Sequence, residues 1–293
     1  MIVLFGAGGQ LGRELTAAAA HDGVPLTAVP HEQADITDSV AVERVLGAAS
    51  PSLVINAAAY NQVDKAEAEP DEAMRINAIG PGIVAAACAG ADVPMVHIST
   101  DYVFDGAKPG PYVEDDPIAP LSVYGCSKAE GEAAVRGACP RHIIVRTAWL
   151  FSRHGSNFVK TMLRLAAERD ALTVVADQRG SPTSAVDLAR AVLIAAAALA
   201  DGSDSWGTYH FAGSGETTRH GLASRIVAVQ ALYTGRLPMV HAVATADRPT
   251  PARRPLNSVL DSSKFAATFG FRAADWRDAV DRTVTGLMDR ASA

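Results

Sequence analysis

The N-terminal half of the chain alternates short apolar runs with longer segments of mixed polarity. The apolar runs are IVLF (2–5), LTAV (26–29), LVIN (53–56), MVHIS (95–99) and HIIVR (142–146). The segments between them have helical length and periodicity. Strands and helices in this alternation form parallel sheets with right-handed crossovers, and strands that are apolar throughout are covered on both faces. The pattern therefore predicts an α/β fold built on a doubly wound parallel sheet.

The alternation loosens after residue 150. A helix (157–169), a short strand (172–175) and another helix (184–200) are followed by two polar loops, GSGETT (213–218) and RPTPARRPLNS (248–258). Long loops in a compact protein are usually functional or disordered, so we expect a smaller C-terminal domain that binds substrate. The predicted division assigns residues 1–150 and about 172–210 to the sheet domain, and residues 151–171 and 211–293 to the smaller domain.

Composition excludes several classes of protein. The 293 residues are 48% hydrophobic, which is enough for one large or two modest domains, and the net charge of −6 lacks the clustered basic residues that nucleic acid or an anionic membrane would attract. The chain starts with an apolar strand that has no basic region or cleavage site, so we expect no signal peptide, and the alanine-rich run 191–200 is too short to span a bilayer. Cys88, Cys126 and Cys139 are scattered, so we expect small buried hydrophobes in a reducing cytoplasm.

A glycine-rich turn, FGAGGQLG (5–12), separates the first apolar run from the first helical segment. Gly6, Gly9 and Gly12 form the pattern G-x-x-G-x-x-G. A diphosphate needs close backbone approach and the free N–H groups of a helix N-terminus, and this turn offers both. A tight turn with no ligand would look similar, but the strand–turn–helix context favours dinucleotide binding by a Rossmann-type domain.

The choice of nicotinamide cofactor is open, NADPH or NADH. NAD-specific sites often carry an acidic residue at the end of the second strand, where this chain has VPH (29–31). A 2′-phosphate is therefore not repelled, which favours NADPH, although no arginine stands nearby in sequence. Asp35 and Ile36 are candidate adenine contacts. Asp35 is equally explained as a turn former before a helix cap at 37–38.

The segment VYGCSK places Tyr124 and Lys128 four residues apart, on one face of a predicted helix. An exposed pair or a core tyrosine would give the same spacing. Here the pair follows the fourth strand, and ligands bind at the carboxyl ends of parallel strands. We expect the ammonium to lower the pKa of the phenol, which gives a proton to a carbonyl oxygen as hydride arrives. Thr100 would orient that oxygen.

Motifs across the whole chain resemble those of the dTDP-4-dehydrorhamnose reductase family, a branch of the extended short-chain dehydrogenases. The resemblance runs over about residues 2–285. The more specific parts are VINAAAYNQVDKAEAEP and HISTDYVFDG; the others are FGAGGQLG, DITD, VYGCSKAEGE, RTAWLF, NFVKTMLRLA, DQRGSPT and RPTPARRPLNS.

The resemblance implies a Rossmann domain and a small sugar-nucleotide domain, with hydride passing from NADPH or NADH to C4 of dTDP-4-dehydro-beta-L-rhamnose. Tyr124 matches the proton donor, Lys128 the ribose-binding and pKa-lowering residue, and Thr100 the residue that orients the substrate. With the glycine turn, the predicted cofactor contacts are Gly6, Gly9, Gln10, Leu11, Gly12, Asp35, Ile36, Ala57, Ala58, Ala59, Tyr60, Asn61 and Ser99, besides Tyr124 and Lys128. The predicted substrate contacts are Val63, Thr100, Asp101, Tyr102, Tyr124, Trp149 and Arg254.

Some of these assignments have ordinary structural alternatives. Trp149 could be plain core, and Arg254, the expected partner of the diphosphate, could be a solvated surface residue. Some relatives are metal-linked dimers; Glu14 and Asp187 lie in suitable regions, but isolated helix carboxylates are usually surface residues. We therefore predict no metal site and leave Mg²⁺ and a homodimer open.

Two other functions fit the same motifs. One is reduction of a different nucleotide-linked 4-ketosugar, since only pocket-lining residues set that choice. The other is a non-catalytic NADP-binding module, as in the regulatory subunit of methionine adenosyltransferase, which resembles this family. Intact Thr100, Tyr124 and Lys128 argue against the second alternative.

Overall fold

A six-stranded parallel sheet forms the centre of the protein in a computed structural model, which describes residues 1–292. The strand order is β10-β5-β4-β3-β1-β2. The described strands, six in this sheet and six in three two-stranded sheets, are β1 Ile2–Phe5, β2 Leu26–Val29, β3 Leu53–Asn56, β4 Met95–Thr100, β5 His142–Thr147, β6 Leu150–Phe151, β7 Ala171–Val175, β8 Arg179–Gly180, β9 Thr183–Ser184, β10 Gly207–His210, β11 Thr217–Thr218 and β12 Met239–Val243. The predicted α/β fold with a parallel sheet is confirmed.

Helices cover both faces of this sheet. The described α-helices, including those that pack elsewhere, are α1 Gln10–His21, α2 Ser39–Ala49, α3 Val63–Ala66, α4 Pro70–Met74, α5 Gly80–Gly90, α6 Val123–Ala138, α7 Phe158–Glu168, α8 Ala185–Ala200, α9 Arg219–Thr234, α10 Ser263–Phe269 and α11 Trp276–Ser292. A π-helical turn, Arg75–Ile79, joins α4 to α5, and short 3₁₀ turns lie at Asp101–Val103 and Thr245–Asp247.

Alternation along β1 shows why its run is apolar throughout. Ile2 and Leu4 pack into a core cluster with α1 and α8, whereas Val3 and Phe5 pack into a second cluster with α2, α5 and α6. Successive side chains of a strand point to opposite faces, so a strand covered on both faces has no polar position. The loops that follow β1 and β3 meet at the reversal of strand order, the place where doubly wound sheets bind ligands.

A second core lies in the C-terminal part of the chain. There α7, α9 and α11 pack around a two-stranded parallel sheet of β7 and β12. Residues 171–175 thus belong to this second core, although the predicted division assigned 172–210 as one piece to the first domain; α8 and β10 do pack with the main sheet. The domain boundaries stay a prediction.

Two further details bear on the composition. Cys88 and Cys139 are buried, but Cys126 is exposed, contrary to the expectation that all three are buried.

Among the described residues, the helical run Pro70–Gly90 is long and apolar enough to meet the criterion for a membrane span. In this fold Val84 and Cys88 of this run pack with α2 and α6 against one face of the six-stranded sheet, which accounts for the apolar character of the run.

Candidate active site

A cleft of about 350 Å³ opens at the carboxyl ends of β1, β3, β4 and β5, between the sheet and the second core. It brings most of the predicted site residues together. Those that line it are Gly9, Gln10, Leu11, Ala57, Ala59, Asn61, Val63, Ser99, Thr100, Asp101, Tyr102, Tyr124, Lys128 and Trp149. The sequence did not indicate seven others: Ile98, Thr147, Leu150, Ser156, Asn157, Phe158 and Arg219.

The glycine turn is shaped by backbone contacts that leave no room for side chains. Gly6 has φ +79°, and a Cβ there would lie 2.4 Å from the backbone nitrogen of Ala58. A Cβ on Gly12 would lie 2.3 Å from the carbonyl oxygen of Gly6. Gly9 is the N-cap of α1 and makes no side-chain hydrogen bond to it, so no capping side chain covers the backbone N–H groups of the first turn at the cleft. These residues fit a bound diphosphate, which needs close approach and free N–H groups.

The loop after β3 is held by two buried asparagines. Asn56 accepts a hydrogen bond from the Ala58 N–H at 3.1 Å. Asn77, in the π-helical turn, accepts from the Tyr60 N–H at 2.8 Å and donates to the Tyr60 carbonyl at 3.0 Å and to the Ser127 hydroxyl at 3.0 Å. Asn77 thereby ties the predicted cofactor loop to α6. Its role was not apparent from the sequence, because nothing local marks a residue 17 positions downstream of the loop.

Some predicted cofactor residues lie away from the cleft lining. The Tyr60 phenol donates to Glu69 Oε2 at 2.8 Å. Asp35 accepts from the Thr37 N–H at 2.9 Å, as the turn-forming alternative requires, and pairs with Arg75 at 3.3 Å. Burial alone would raise the pKa of Asp35, but the hydrogen bonds from Thr37 and Arg75 lower it below its ordinary value. Ile36 is buried beside Asp35, so adenine contacts from this pair stay a prediction.

Helix α6 brings Tyr124 and Lys128 to the cleft in its first two turns. The Ser122 hydroxyl caps the helix by accepting from the Gly125 N–H at 3.1 Å. A Cβ on Gly125 would lie 2.3 Å from the Tyr102 carbonyl oxygen, so α6 begins directly against the turn after β4. The Tyr124 and Tyr102 rings pack edge to face with centroids 5.8 Å apart. Spacing and position thus agree with the predicted pair.

The charges of this site are set mainly by burial. Burial raises the pKa of Tyr124 above its ordinary value, and a hydrogen bond with Thr100 opposes this only in part. Burial lowers the pKa of Lys128 to about 8, against the attraction of Glu132. The Lys128 ammonium donates to the Ile98 carbonyl at 2.7 Å. The net shift of the Tyr124 pKa is upward because burial dominates it, so the phenol keeps its proton at neutral pH, and the lowering of this pKa by Lys128 stays a prediction.

A buried ion pair lies behind Lys128, one turn further along α6. Arg146 donates from Nε and Nη2 to the two oxygens of Glu132, at 2.8 Å each, and the Ser99 hydroxyl donates to Glu132 Oε1 at 2.6 Å. Glu132 is fully buried and Arg146 is 3% exposed. The pair fixes α6 to β4 and β5. Sequence analysis missed it because its partners are 14 residues apart and come from different elements.

The wall opposite α6 combines aromatic and charged groups. Trp149 has φ +47°, which is uncommon for a bulky residue, and its ring fills the space that a Cβ on Gly180 would take, with Cε2 at 2.4 Å. The Arg219 guanidinium lies over this ring, 3.7 Å from the centroid. Asp101 is buried, which raises its pKa to about 6, while the Thr100 hydroxyl donates to its Oδ1 at 2.9 Å.

Arg254 and Glu14 lie in surroundings that the sequence did not indicate, whereas Asp187 is a partly exposed helix carboxylate. Arg254 does not line the cleft: it donates to both oxygens of Asp64, at 3.0 and 2.8 Å. Glu14 is buried, not a surface residue, with Oε1 3.5 Å from His154 Nε2. Asp187 pairs with Arg282 at 3.4 Å. Within residues 1–292, no group of three or more His, Cys, Asp or Glu side chains is arranged to hold a metal ion.

A doubly wound sheet, a glycine turn at its switch point and a Tyr-x-x-x-Lys helix beside a threonine define the class of extended short-chain dehydrogenases and reductases. Comparison with known proteins narrows the class. A family model described as RmlD substrate binding domain matches residues 1–288. The chain belongs to this family, the dTDP-4-dehydrorhamnose reductases.

Similar proteins cover nearly the whole chain. A dTDP-4-dehydrorhamnose reductase of Sinorhizobium fredii is 45% identical over 98% of this chain and 97% of its own length, and that of Escherichia coli is 40% identical over 98% of both. Among solved structures, the Clostridium acetobutylicum reductase has a TM-score of 0.90 at 40% identity, covering 98% of this chain and 99% of its own. The Bacillus anthracis reductase in complex with NADP has a TM-score of 0.89 at 35% identity, covering 97% and 98%.

Proposed function

We propose that the protein is an NAD(P)H-dependent oxidoreductase that reduces the C4 ketone of dTDP-4-dehydro-beta-L-rhamnose to give dTDP-L-rhamnose. One observation carries the proposal: Thr100, Tyr124 and Lys128 meet in a single cleft beside the glycine turn. The relatives named for this reaction match over almost the full chain, which supports the substrate as well as the chemistry.

The chain's own residues supply the proton and orient the ketone oxygen. The nicotinamide, when bound, supplies the hydride. Tyr124 is 9% exposed and keeps its proton, so it donates that proton to the ketone oxygen. Thr100 lines the same cleft as the phenol and orients the same oxygen. Lys128, with a pKa of about 8, is cationic at neutral pH and stabilises the tyrosinate that remains.

NADPH is the proposed preference over NADH. Strand β2 ends at Val29 and no acidic residue occupies its end, so a 2′-phosphate meets no fixed negative charge there. The Bacillus anthracis relative was solved with NADP. Titration of the purified protein with each cofactor tests this, and a tighter Kd for NADH than for NADPH would contradict it.

Location and assembly stay proposals of the same kind. The three scattered cysteines support a cytoplasmic protein, and the relatives leave the homodimer open. Sedimentation at micromolar concentration would separate monomer from dimer. No nucleic-acid partner is proposed.

The turnover assay follows oxidation of NADPH at the absorbance of the reduced nicotinamide. The purified protein is mixed with enzymatically generated dTDP-4-dehydrorhamnose, and we expect oxidation with dTDP-L-rhamnose as the product. Other nucleotide-linked 4-ketosugars serve as competing substrates. Oxidation only with one of those would move the proposal to a different sugar, and cofactor binding without oxidation by any ketosugar would indicate a non-catalytic module.

A further inference from the structure

One cation enters the cleft wall from the C-terminal core. Arg219 is the first residue of α9, and the Thr218 hydroxyl caps that helix by accepting from the Gly221 N–H at 3.0 Å. The Arg219 side chain lines the same cleft as Thr100 and Tyr124. Its Cζ lies 3.7 Å from the Trp149 ring centroid and 5.3 Å from that of Phe158. The guanidinium is therefore held against two aromatic rings at the cleft surface.

Trp149, the ring on which this guanidinium stacks, has a strained backbone conformation. Trp149 adopts φ +47°, a left-handed conformation that costs free energy for a bulky side chain. Its indole is accommodated because residue 180 is glycine: a Cβ there would lie 2.4 Å from Trp149 Cε2. Strain of this kind persists where the surroundings over-determine it, and ligand sites are common locations. The ring thus fixes the plane in which Arg219 presents its N–H donors.

The two arginines near the cleft have different electrostatic partners. Arg254 is paired with Asp64 through both Nη atoms, and Asp64 offers both of its oxygens. Arg219, by contrast, has no carboxylate oxygen within 4.0 Å among the described residues. The buried carboxylate of Asp101 attracts it at longer range, and its side-chain hydrogen-bond partner is the neutral phenol of Tyr102. Arg219 is therefore the cleft arginine whose charge is not neutralised by a close ion pair.

We propose, on the basis of the proposed function, that Arg219 binds the diphosphate of the nucleotide sugar, with Trp149 as the platform that orients its guanidinium. A half-buried cation without a close counter-ion is stabilised by a bound anion, and a planar guanidinium can bond two phosphate oxygens at once. The diphosphate is the anionic part of such a substrate. Arg254, which the sequence suggested for this role, instead fastens the loop 248–258 to α3 through Asp64.

Binding of thymidine diphosphate and of thymidine, measured by calorimetry at saturating NADPH, tests the assignment without turnover. Arg219→Gln is expected to raise the Kd for thymidine diphosphate about 10- to 100-fold, the range for loss of a charge-assisted hydrogen-bonding group, and to leave the Kd for thymidine and for NADPH unchanged. Arg219→Lys keeps the charge but loses the planar fork, so we expect an intermediate loss. Arg253→Gln, at an exposed neighbour of Arg254, is the matched control and should bind like wild type.

The outcomes separate the assignment from the proposed function. Unchanged binding of thymidine diphosphate by both Arg219 variants would overturn the assignment, and a loss confined to Arg254→Gln would give the role to that residue. If Arg219→Gln does not fold, as judged by thermal melting, Arg219→Lys decides: wild-type affinity for thymidine diphosphate would count against a bidentate contact. A wild-type protein that binds NADPH but not thymidine diphosphate would refute the proposed function itself.

Discussion

Removal of the buried charge behind Lys128 is the perturbation whose cost the structure defines best. Glu132→Gln keeps the shape of the side chain but leaves Arg146, which is 3% exposed, without its carboxylate. Breaking one partner of a buried pair usually costs about 3–5 kcal/mol. The amide oxygen introduced at position 132 would still accept one of the two hydrogen bonds from Arg146, which are 2.8 Å each in the native protein, so we expect about 3 kcal/mol. For a chain of this size that corresponds to a Tm lower by ~5 °C.

Urea denaturation of wild type, Glu132→Gln and Glu130→Gln measures this free energy. Glu130 is exposed on the same helix and serves as the matched control, with an expected change of less than about 0.5 kcal/mol. A Glu132→Gln variant as stable as the control would refute the claim that this pair fixes α6 to the sheet. A double variant with apolar residues at 132 and 146 should recover part of the loss, because no unpaired buried charge remains.

The pH dependence of this difference has a definite sign. Burial tends to raise the pKa of Glu132, but the bonds from Arg146 and Ser99 lower it below its ordinary value of 4.5. A carboxyl whose pKa is depressed in the folded state contributes stability above its unfolded pKa and loses it as pH falls through the folded value. The difference between wild type and Glu132→Gln should therefore be full at pH 7 and shrink below about pH 4.5. A constant difference down to pH 3 would contradict the assignment of this pKa shift.

Two further predictions concern the cleft. Lys128→Ala should lower kcat/KM and raise the Kd for NADPH. Because burial lowers the Lys128 pKa to about 8, the wild-type kcat/KM should fall as pH rises through that value and the cation is lost. Unchanged kinetics in the variant, or a wild-type pH profile that is flat to pH 10, would exclude this role. Gly6→Ala should abolish NADPH binding in a fluorescence titration, because its Cβ would lie 2.4 Å from the Ala58 nitrogen at a φ of +79°. The control Gly8→Ala, with no atom within 4 Å of its Cβ, should bind NADPH normally. Equal binding by both variants would show that the turn does not hold the cofactor.

Much of the fold could be predicted from the sequence because the signal is local. The runs that became β1 to β5 are apolar at nearly every position, and this pattern has few explanations besides strands covered on both faces. Strand β10, GTYH, escaped prediction since glycine, threonine and histidine leave Tyr209 as its one large apolar residue. Strand β7 was recognised, but its pairing with β12 was not, because pairing between distant segments leaves no local trace.

The candidate site likewise contains residues that a local sequence pattern predicted and residues that only the folded structure brings together. Tyr124 and Lys128 are four residues apart, so helical geometry alone brings them together. Arg219 follows a Ser/Gly/Thr-rich loop and looks like any surface arginine until the fold stacks it on Trp149. The direction of the Tyr124 pKa shift was also beyond the sequence, because burial, which dominates it, is a property of the folded chain.

The most direct test of the account is a single-turnover measurement with Tyr124→Phe, since this change removes one oxygen and leaves the ring. Loss of a general acid typically costs about 10²- to 10⁴-fold, so we expect hydride transfer from NADPH to dTDP-4-dehydrorhamnose to slow by that factor, with the Kd for NADPH unchanged. A Tyr124→Phe protein that reduces the ketone at the wild-type rate would contradict the claim that this phenol protonates the substrate.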